Sequence, residues 1–311
     1  MYNIYRYVVR KIVRNYKNKY LRIKLNGGLS NKLHCLFSAS DIALQKEAYI
    51  VEPDFGWNNK IPFSDIYDID YFNKEISNYN YGKDLMITKD KLPKNNLLGL
   101  KVIDNNINLW DHSGQELAEE RKSGVISMKS TKIRVLKALK LKPEYESIVK
   151  EYVSRRLDIA MQIRTESDWK EYAERKKLSD SKESIFVSLD RLIDMIPTVS
   201  KSKNIFFTSG ENHDEITSRF EKLNYNVNYF FDPKLEYEIN AAINFEICSR
   251  ANIFIGNSRS SYSNLISLKR AILLDKDNSY IYNYGDKIHR RVDKGLQPFA
   301  ASCISKKTTI Y

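Results

Sequence analysis

The chain has 311 residues, 42% hydrophobic and 12% aromatic, enough to bury the core of one large or two ordinary domains. A mean hydropathy of −0.51, 29% charged residues and no run approaching about 18 consecutive apolar residues argue against a membrane-embedded fold. The net charge of +12 calls for an anionic partner, be it nucleic acid, a headgroup surface or a phosphorylated substrate, while the scattered Cys35, Cys248 and Cys303 supply neither a disulfide framework nor zinc-ligand spacing.

The first predicted element is a basic amphipathic helix. Eight basic residues and no acidic one fall between Met1 and Lys24. Met1, Tyr5, Val8, Val9, Ile12, Val13 and Tyr16 recur at helical spacing, with Arg6, Arg10, Arg14 and Lys17 mostly off that stripe. Such a stripe packs on its own domain or lies in the plane of an anionic membrane, where each basic residue near the headgroups contributes about 1 kcal/mol. Residues 1–19 are therefore a candidate membrane-surface contact. Basic residues break up the apolar ones, which does not fit a cleavable secretion signal, so the expected location is cytoplasmic, peripheral on the inner face of a membrane.

Next, Tyr20 to Leu25 reads as a buried strand, Gly27-Gly28 as a turn, Asn31 to Lys46 as an apolar-periodic helix and Ala48 to Glu52 as a second strand. Strand, glycine turn, helix, strand is the opening of a doubly wound parallel sheet. From Pro53 to about Ser127 the chain is rich in Asn, Asp, Tyr and Lys with weak periodicity, which predicts irregular structure, short strands and loops. Helices near Thr131 to Leu139 and Pro143 to Arg156 lead into the apolar run Leu157 to Ile163, where a second alternating series starts. It runs through a strand ending at Arg164, a loop, helix Ile185 to Val199, strand Asn204 to Thr208 and a helix from about Asn212. Strand Val227 to Phe231, helix Tyr237 to Arg250, strand Asn252 to Gly256, helix Ser261 to Leu268 and strand Arg270 to Leu274 complete it. Two Rossmann-like domains, 1–150 and 151–311, are expected.

In doubly wound sheets ligands sit beyond the carboxyl ends of the strands, and three polar segments come directly after predicted strands. In Asn26-Gly27-Gly28-Leu29-Ser30-Asn31-Lys32 the glycines permit close backbone approach and the helix start offers N–H groups to an anion or sugar hydroxyl; a plain tight turn is the alternative. Gln162-Ile163-Arg164-Thr165-Glu166-Ser167-Asp168-Trp169 puts an arginine at the exit of a buried strand, where its fork suits phosphate oxygens; an Arg164 to Asp168 ion pair is the alternative. Gly256-Asn257-Ser258-Arg259-Ser260-Ser261-Tyr262-Ser263 joins a strand to a helix start, with two hydroxyls for a phosphate, or a simple N-cap.

Together these segments resemble the fucosyltransferase superfamily that includes the protein O-fucosyltransferases and the α1,2- and α1,6-fucosyltransferases. Asn26 to Asn31 is similar to its G-x-x-N element, Gln162 to Trp169 to H-x-R-x-x-x-D-W, and Gly256 to Tyr262 to G-N-x-x-S-S/T-F. The resemblance implies a GT-B glycosyltransferase, two Rossmann-like domains facing a cleft, that transfers fucose from GDP-fucose to a glycan, lipid-linked saccharide or protein acceptor with inversion and without a metal. It implies that Arg164 holds the diphosphate, that Ser260 and Ser261 bind phosphate oxygens, that Tyr262 lies near the nucleotide, that Asp168 orients base or ribose, and that Asn31 lies near the reacting centre. Gly27, Gly28, Gln162, Trp169 and Asn257 complete the substrate-binding set, and Glu166 is a candidate base by its place beside Arg164. Two positions depart from the family pattern: Gln162 stands where His is usual and carries no proton at neutral pH, and Ser30 replaces a frequent glycine.

Other signals are weaker. Asp68-Ile69-Asp70 matches a metal-binding D-x-D but lacks the strand context, and His34, His112, His213 and His289 have no ligand spacing. The alternatives are another nucleotide sugar as donor, a non-catalytic sugar-nucleotide-binding protein, or a nucleic-acid-binding protein. The last is not expected, because the basic excess is densest in one terminal helix and no recognition motif appears.

Overall fold

A computed structural model describes residues 19–56, 61–92, 102–103 and 109–311. The basic amphipathic helix expected within residues 1–19 lies outside the described residues, save the last of them. No helix among the described residues is long and apolar enough to cross a membrane. The chain packs as two compact units, one reaching to Glu116 and taking in Lys129–Lys142, the other made of Leu117–Met128 and Pro143–Tyr311.

The first unit holds a parallel sheet of β1 (Lys19–Leu21), β2 (Ala48–Val51), β3 (Met86–Ile87) and β4 (Val102–Ile103) in the order β3-β2-β1-β4. Tyr20 pairs with Tyr49 across β1 and β2, and their rings stack 5.9 Å apart. Helix α1 (Leu29–Gln45) makes the crossover between those strands. Its Leu33, Leu36, Phe37, Ala39 and Ala43 are buried, and it packs against α5 (Thr131–Ala138), where Thr131 Oγ1 donates to Asp41 at 2.8 Å. The strand expected to reach Leu25 ends at Leu21.

Between β2 and α5 the chain is more helical than its composition predicts. Helices α2 (Phe63–Ile66), α3 (Ile69–Ser77) and α4 (Leu109–Ser123) replace much of the irregular structure expected from Pro53 to Ser127. Asp68 caps α3, accepting from the Tyr71 N–H at 2.9 Å, so the first carboxylate of the D-x-D is a helix cap. In α4 a polar sequence with little apolar period hides helix-forming Glu, Ala, Arg and Lys, with Arg121 and Lys122 opposing the helix dipole in the last turn.

The second unit is built on six strands: β6 (Ile159–Gln162), β7 (Asn204–Thr208), β8 (Asn226–Tyr229), β9 (Ile253–Gly256), β10 (Ser279–Ile281) and β11 (His289–Arg290). Their order is β11-β10-β9-β6-β7-β8, all parallel except the β10–β11 edge. A separate short ladder pairs β5 (Val125–Ile126) with β12 (Thr309–Ile310). The surrounding helices are α6 (Pro143–Ser154), α7 (Ser167–Arg175), α8 (Leu189–Met195), α9 (His213–Glu221), α10 (Tyr237–Arg250), α11 (Ser261–Leu273) and α12 (Ala300–Ser305). One continuous core joins Ile159, Met161 and Ile163 to Ile205, Phe207, Leu192, Ile216, Phe220 and Ile255. Helix α10 packs on α6 and α11, and Arg250 forks onto Glu146 at 2.7 and 2.9 Å.

Two predicted elements are overturned here. Helix α7 occupies a stretch expected to be loop, anchored by Trp169, the one buried residue of a mostly charged turn sequence. The strand expected over Arg270 to Leu274 is the last part of α11. Arg270 is fully buried and donates to the carbonyls of Ser249 (2.9 Å), Ala251 (2.7 Å) and Asn252 (3.0 Å), capping the end of α10 and drawing the helix through the apolar run. That burial lowers the Arg270 pKa to about 10.

Candidate active site

In the six-stranded sheet the chain moves outward from β6 through β7 to β8 on one side and from β9 to β10 on the other, so the order reverses between β6 and β9. The crevice beyond the carboxyl ends of such a pair is the usual ligand site of an open parallel sheet. Two of the three polar segments leave from this point: Ile163–Trp169 extends from β6 and Asn257–Tyr262 from β9.

The two exits are laced together below the surface. Trp169 Nε1 and Asn257 Nδ2 both donate to the Ile185 carbonyl at 2.9 Å. Gln162 is buried, and its side-chain oxygen accepts a short hydrogen bond from Ser263 Oγ in the first turn of α11. Asn257 is wholly buried, with its Oδ1 accepting from the Arg259 N–H at 3.0 Å and its own N–H donating to Ser263 Oγ at 3.1 Å. Gln162 and Asn257, expected to bind substrate, thus point into the protein and fasten one strand exit to the other. Gly256 is required for this approach, since a Cβ there would lie 2.2 Å from Ser263 Oγ.

Arg164 stands at the surface of this frame. Its guanidinium lies 4.2 Å over the Trp169 ring, and Nε donates to Glu166 Oε2 at 2.9 Å. Glu166 is buried, and its other oxygen accepts from the Gly210 N–H at 2.8 Å, which ties the loop after β6 to the loop after β7. Asp168 reaches the outer guanidinium nitrogen at 3.6 Å with its side chain 74% accessible. The Arg164–Asp168 ion pair, the alternative to phosphate binding, therefore exists. With its carboxylate exposed and the two groups 3.6 Å apart, the pair is weak, worth about 0–1 kcal/mol, while the buried Glu166 holds Nε.

Ser260 is the N-cap of α11, its Oγ accepting from the Ser263 N–H, and Ser261 opens the helix. The cap role and the positive end of a 13-residue helix coexist at one point. Tyr262 turns aside: its hydroxyl donates to the Ala241 carbonyl at 2.8 Å and its ring meets Phe245 edge-on at 5.6 Å, joining α11 to α10.

A second node is one that sequence reasoning missed. Arg259 forks onto Glu183 at 2.7 and 3.0 Å, and Asn283 holds Ser258 through an N–H bond of 3.0 Å and an Oγ bond of 2.9 Å. Ser258 and Arg259 lay inside a recognisable motif; Glu183 and Asn283 come from distant loops without a sequence signal.

The glycine-rich segment belongs to the first unit. Gly27 has φ +75 and Gly28 is the N-cap of α1, its carbonyl accepting from Asn31 and Lys32 N–H at 3.0 and 3.1 Å. A Cβ on Gly27 would lie 2.7 Å from Asn31 Nδ2. Lys32, the last residue of the segment, is buried and donates a short bond to the Phe55 carbonyl, which gives it a structural role. Among the described residues no group of His, Cys, Asp and Glu is gathered as a metal site.

The family model for GDP-fucose protein O-fucosyltransferase matches residues 88–273, more than half of the chain and both strand exits. The chain belongs to that family. O-fucosyltransferase 23 of Arabidopsis thaliana is 34% identical over 133 residues, a stretch covering 36% of this chain and 29% of that relative, so the match spans under a third of the relative's length. Among solved structures, apo POFUT1 aligns with a TM-score of 0.56 at 14% identity over 86% of this chain and 98% of that one. POFUT1 in complex with GDP-fucose aligns at 0.54 and 14% identity over 81% and 93%. NodZ α1,6-fucosyltransferase with GDP aligns at 0.51 and 13% identity over 88% and 97%. At such low identity these likenesses speak for the fold, the GT-B architecture of two Rossmann-like domains.

Proposed function

We propose that this family member transfers fucose from GDP-fucose to a hydroxyl of a glycan, lipid-linked saccharide or protein acceptor, with inversion and without a metal. The observation that carries the reading is Arg164 at the point where strand order reverses, stacked on Trp169, held at Nε by a buried carboxylate, and issuing from the strand next to the one that leads into α11. A guanidinium and a helix N-terminus neutralise charge on a departing diphosphate.

In the proposed reaction the acceptor oxygen attacks the anomeric carbon of GDP-β-L-fucose as its bond to the diphosphate oxygen breaks. GDP leaves with the bonding pair, Arg164 takes up the charge that develops on it, the acceptor hydroxyl's proton passes to a phosphate oxygen of the departing GDP, and an α-fucoside forms. Ser260 and Ser261 are proposed as phosphate contacts and Asp168 as a ribose or base contact. Glu166 suits the anchoring of Arg164 better than proton removal, because both its oxygens are engaged. The resemblance assigns Asn31 to the reacting centre, and Asn31→Ala tests that through kcat. Membrane attachment through residues 1–19 is a separate proposal, read out by co-sedimentation with anionic vesicles.

Titration calorimetry with GDP, UDP, GDP-fucose and GDP-mannose in EDTA, on wild type and Arg164→Ala, tests the reading. GDP-selective binding that survives EDTA and collapses in the variant is expected. A folded wild type that binds none of the four would sink the proposal.

A further inference from the structure

The amino ends of β6, β7 and β8, at the other end of the strands from the crevice, hold a feature that the roles above do not use. An open cleft of about 380 Å³ lies there, lined by Tyr152, Arg155, Arg156, Asn204, Asn226 and Asn228. Sites for small ligands begin near about 300 Å³. Strand register explains the polar floor. Asn204 and Phe206 of β7 pair with Asn226 and Asn228 of β8, so all four share one face of the sheet. The Tyr152 ring, in the last turn of α6, meets Phe206 edge-on at 5.6 Å, which places that turn over the same face. A covered face of a parallel sheet is ordinarily apolar, and this one carries three amides. Asn226 Nδ2 donates to Asn204 Oδ1 at 3.2 Å and Asn204 Nδ2 to Asp158 at 3.4 Å, whereas the Asn228 amide has no hydrogen bond to any described residue.

The two arginines differ. Arg155 is engaged, paired with Glu151 and lying 4.9 Å over the Tyr152 ring. The Arg156 guanidinium has no ion pair or hydrogen bond to any described residue. Its backbone is held at φ +63 just past α6, a left-handed position that glycine fills at lower cost. An arginine there costs backbone energy that no polar contact of its side chain with the described residues offsets.

We propose that this cleft binds an acidic sugar, with its carboxylate or phosphate on Arg156 and its hydroxyls on Asn226 and Asn228. A planar guanidinium takes two oxyanion oxygens, and an amide both donates to and accepts from neighbouring hydroxyls. Because Arg155 balances Glu151, Arg156 leaves the cleft a positive charge for the acidic group. The proposal stands apart from the sugar-nucleotide reading, since these residues lie at the opposite strand ends from Arg164.

The test is titration of isotope-labelled protein, followed by NMR, with glucuronate, glucose 6-phosphate, glucose and inorganic phosphate, on wild type, Arg156→Gly and Asn228→Ala. Glucuronate and glucose 6-phosphate distinguish carboxylate from phosphate as the acidic group, and at least one should bind more tightly than glucose or inorganic phosphate. Arg156→Gly should weaken that ligand by about tenfold or more and Asn228→Ala by about fivefold, as befits a charged and a neutral hydrogen bond. Arg156→Gly should melt no lower than wild type, because glycine suits the left-handed turn; Asn228→Ala, which breaks no hydrogen bond among the described residues, reads the cleft if glycine disturbs that turn. GDP affinity should be unchanged in both. Wild type that binds neither acidic sugar overturns the proposal. Inorganic phosphate that binds as tightly as glucose 6-phosphate, with no loss in Asn228→Ala, overturns it by leaving a bare anion site, and acidic-sugar binding that both variants leave intact overturns it by placing the ligand elsewhere.

Discussion

Gly256→Ala probes the joint on which the candidate site depends. The added Cβ would lie 2.2 Å from Ser263 Oγ, 2.7 Å from Ser263 Cβ and 3.0 Å from a Phe254 ring carbon, so it cannot enter without displacing α11 from the end of β9. Overpacking of this kind costs about 1–3 kcal/mol. If Ser263 swings away instead, Gln162 loses its donor and the buried Asn257 N–H loses its 3.1 Å acceptor, and a stranded buried donor costs about 1–3 kcal/mol. Either route predicts a loss of roughly 1–3 kcal/mol in urea denaturation monitored by circular dichroism. GDP affinity should fall as well, because the first turn of α11 moves relative to Arg164. Removing the opposing side chain in Gly256→Ala/Ser263→Gly should return part of the stability, since the Cβ then meets no side-chain atom of residue 263. Stability within about 0.5 kcal/mol of wild type, together with unchanged GDP binding, would refute the close contact between strand exit and helix.

Three further outcomes are expected. Glu166→Ala frees Arg164 Nε and leaves the Gly210 N–H without its acceptor, so GDP affinity should drop about tenfold; Glu166→Gln keeps an oxygen and should lose less, whereas a general base would show equal loss of kcat in both with GDP affinity intact. Asp68→Ala removes the cap of α3 and should cost about 1 kcal/mol in denaturation while GDP affinity, with or without EDTA, stays the same; an EDTA-sensitive change would revive the D-x-D as a metal ligand. Burial raises all three thiols, Cys303 to about 12 from an ordinary value of 9.0. The folded state holds protons that the unfolded chain releases, so this contribution is complete below the ordinary value and is lost as pH rises toward 12. Disulfide-exchange reagent at pH 8 should label no thiol of the folded protein and all three in urea, and fast labelling of folded Cys303 would contradict its burial.

Apolar stretches and their lengths located most of the second unit. Strand Asn204–Thr208 and helix Tyr237–Arg250 are predicted residue for residue, because each apolar-rich stretch has the length of a strand or of a helix and is bounded by polar residues. Helix Leu29–Gln45 was legible for the same reason, and the two polar segments that leave β6 and β9 were found because strand, turn and helix fix where a motif emerges. Period fails where side chains are polar or aromatic: α4 and α7 were hidden by charge, and α11 runs through Arg270–Leu273 because a buried guanidinium caps carbonyls that only the folded chain brings to it.

What the sequence by itself determined is the succession of strands β1, β2, β6, β7, β8 and β9 and the residue types at their exits, since both depend on near neighbours along the chain. The direction each polar side chain takes was decided by tertiary structure. Gln162 and Asn257 turn inward because Ser263 and the Ile185 carbonyl wait for them there, and Glu166 becomes the anchor of Arg164 because the Gly210 N–H, 44 residues away, fills its second oxygen. A buried polar atom takes whichever partner the packed chain offers, and spacing along the sequence carries no record of that choice.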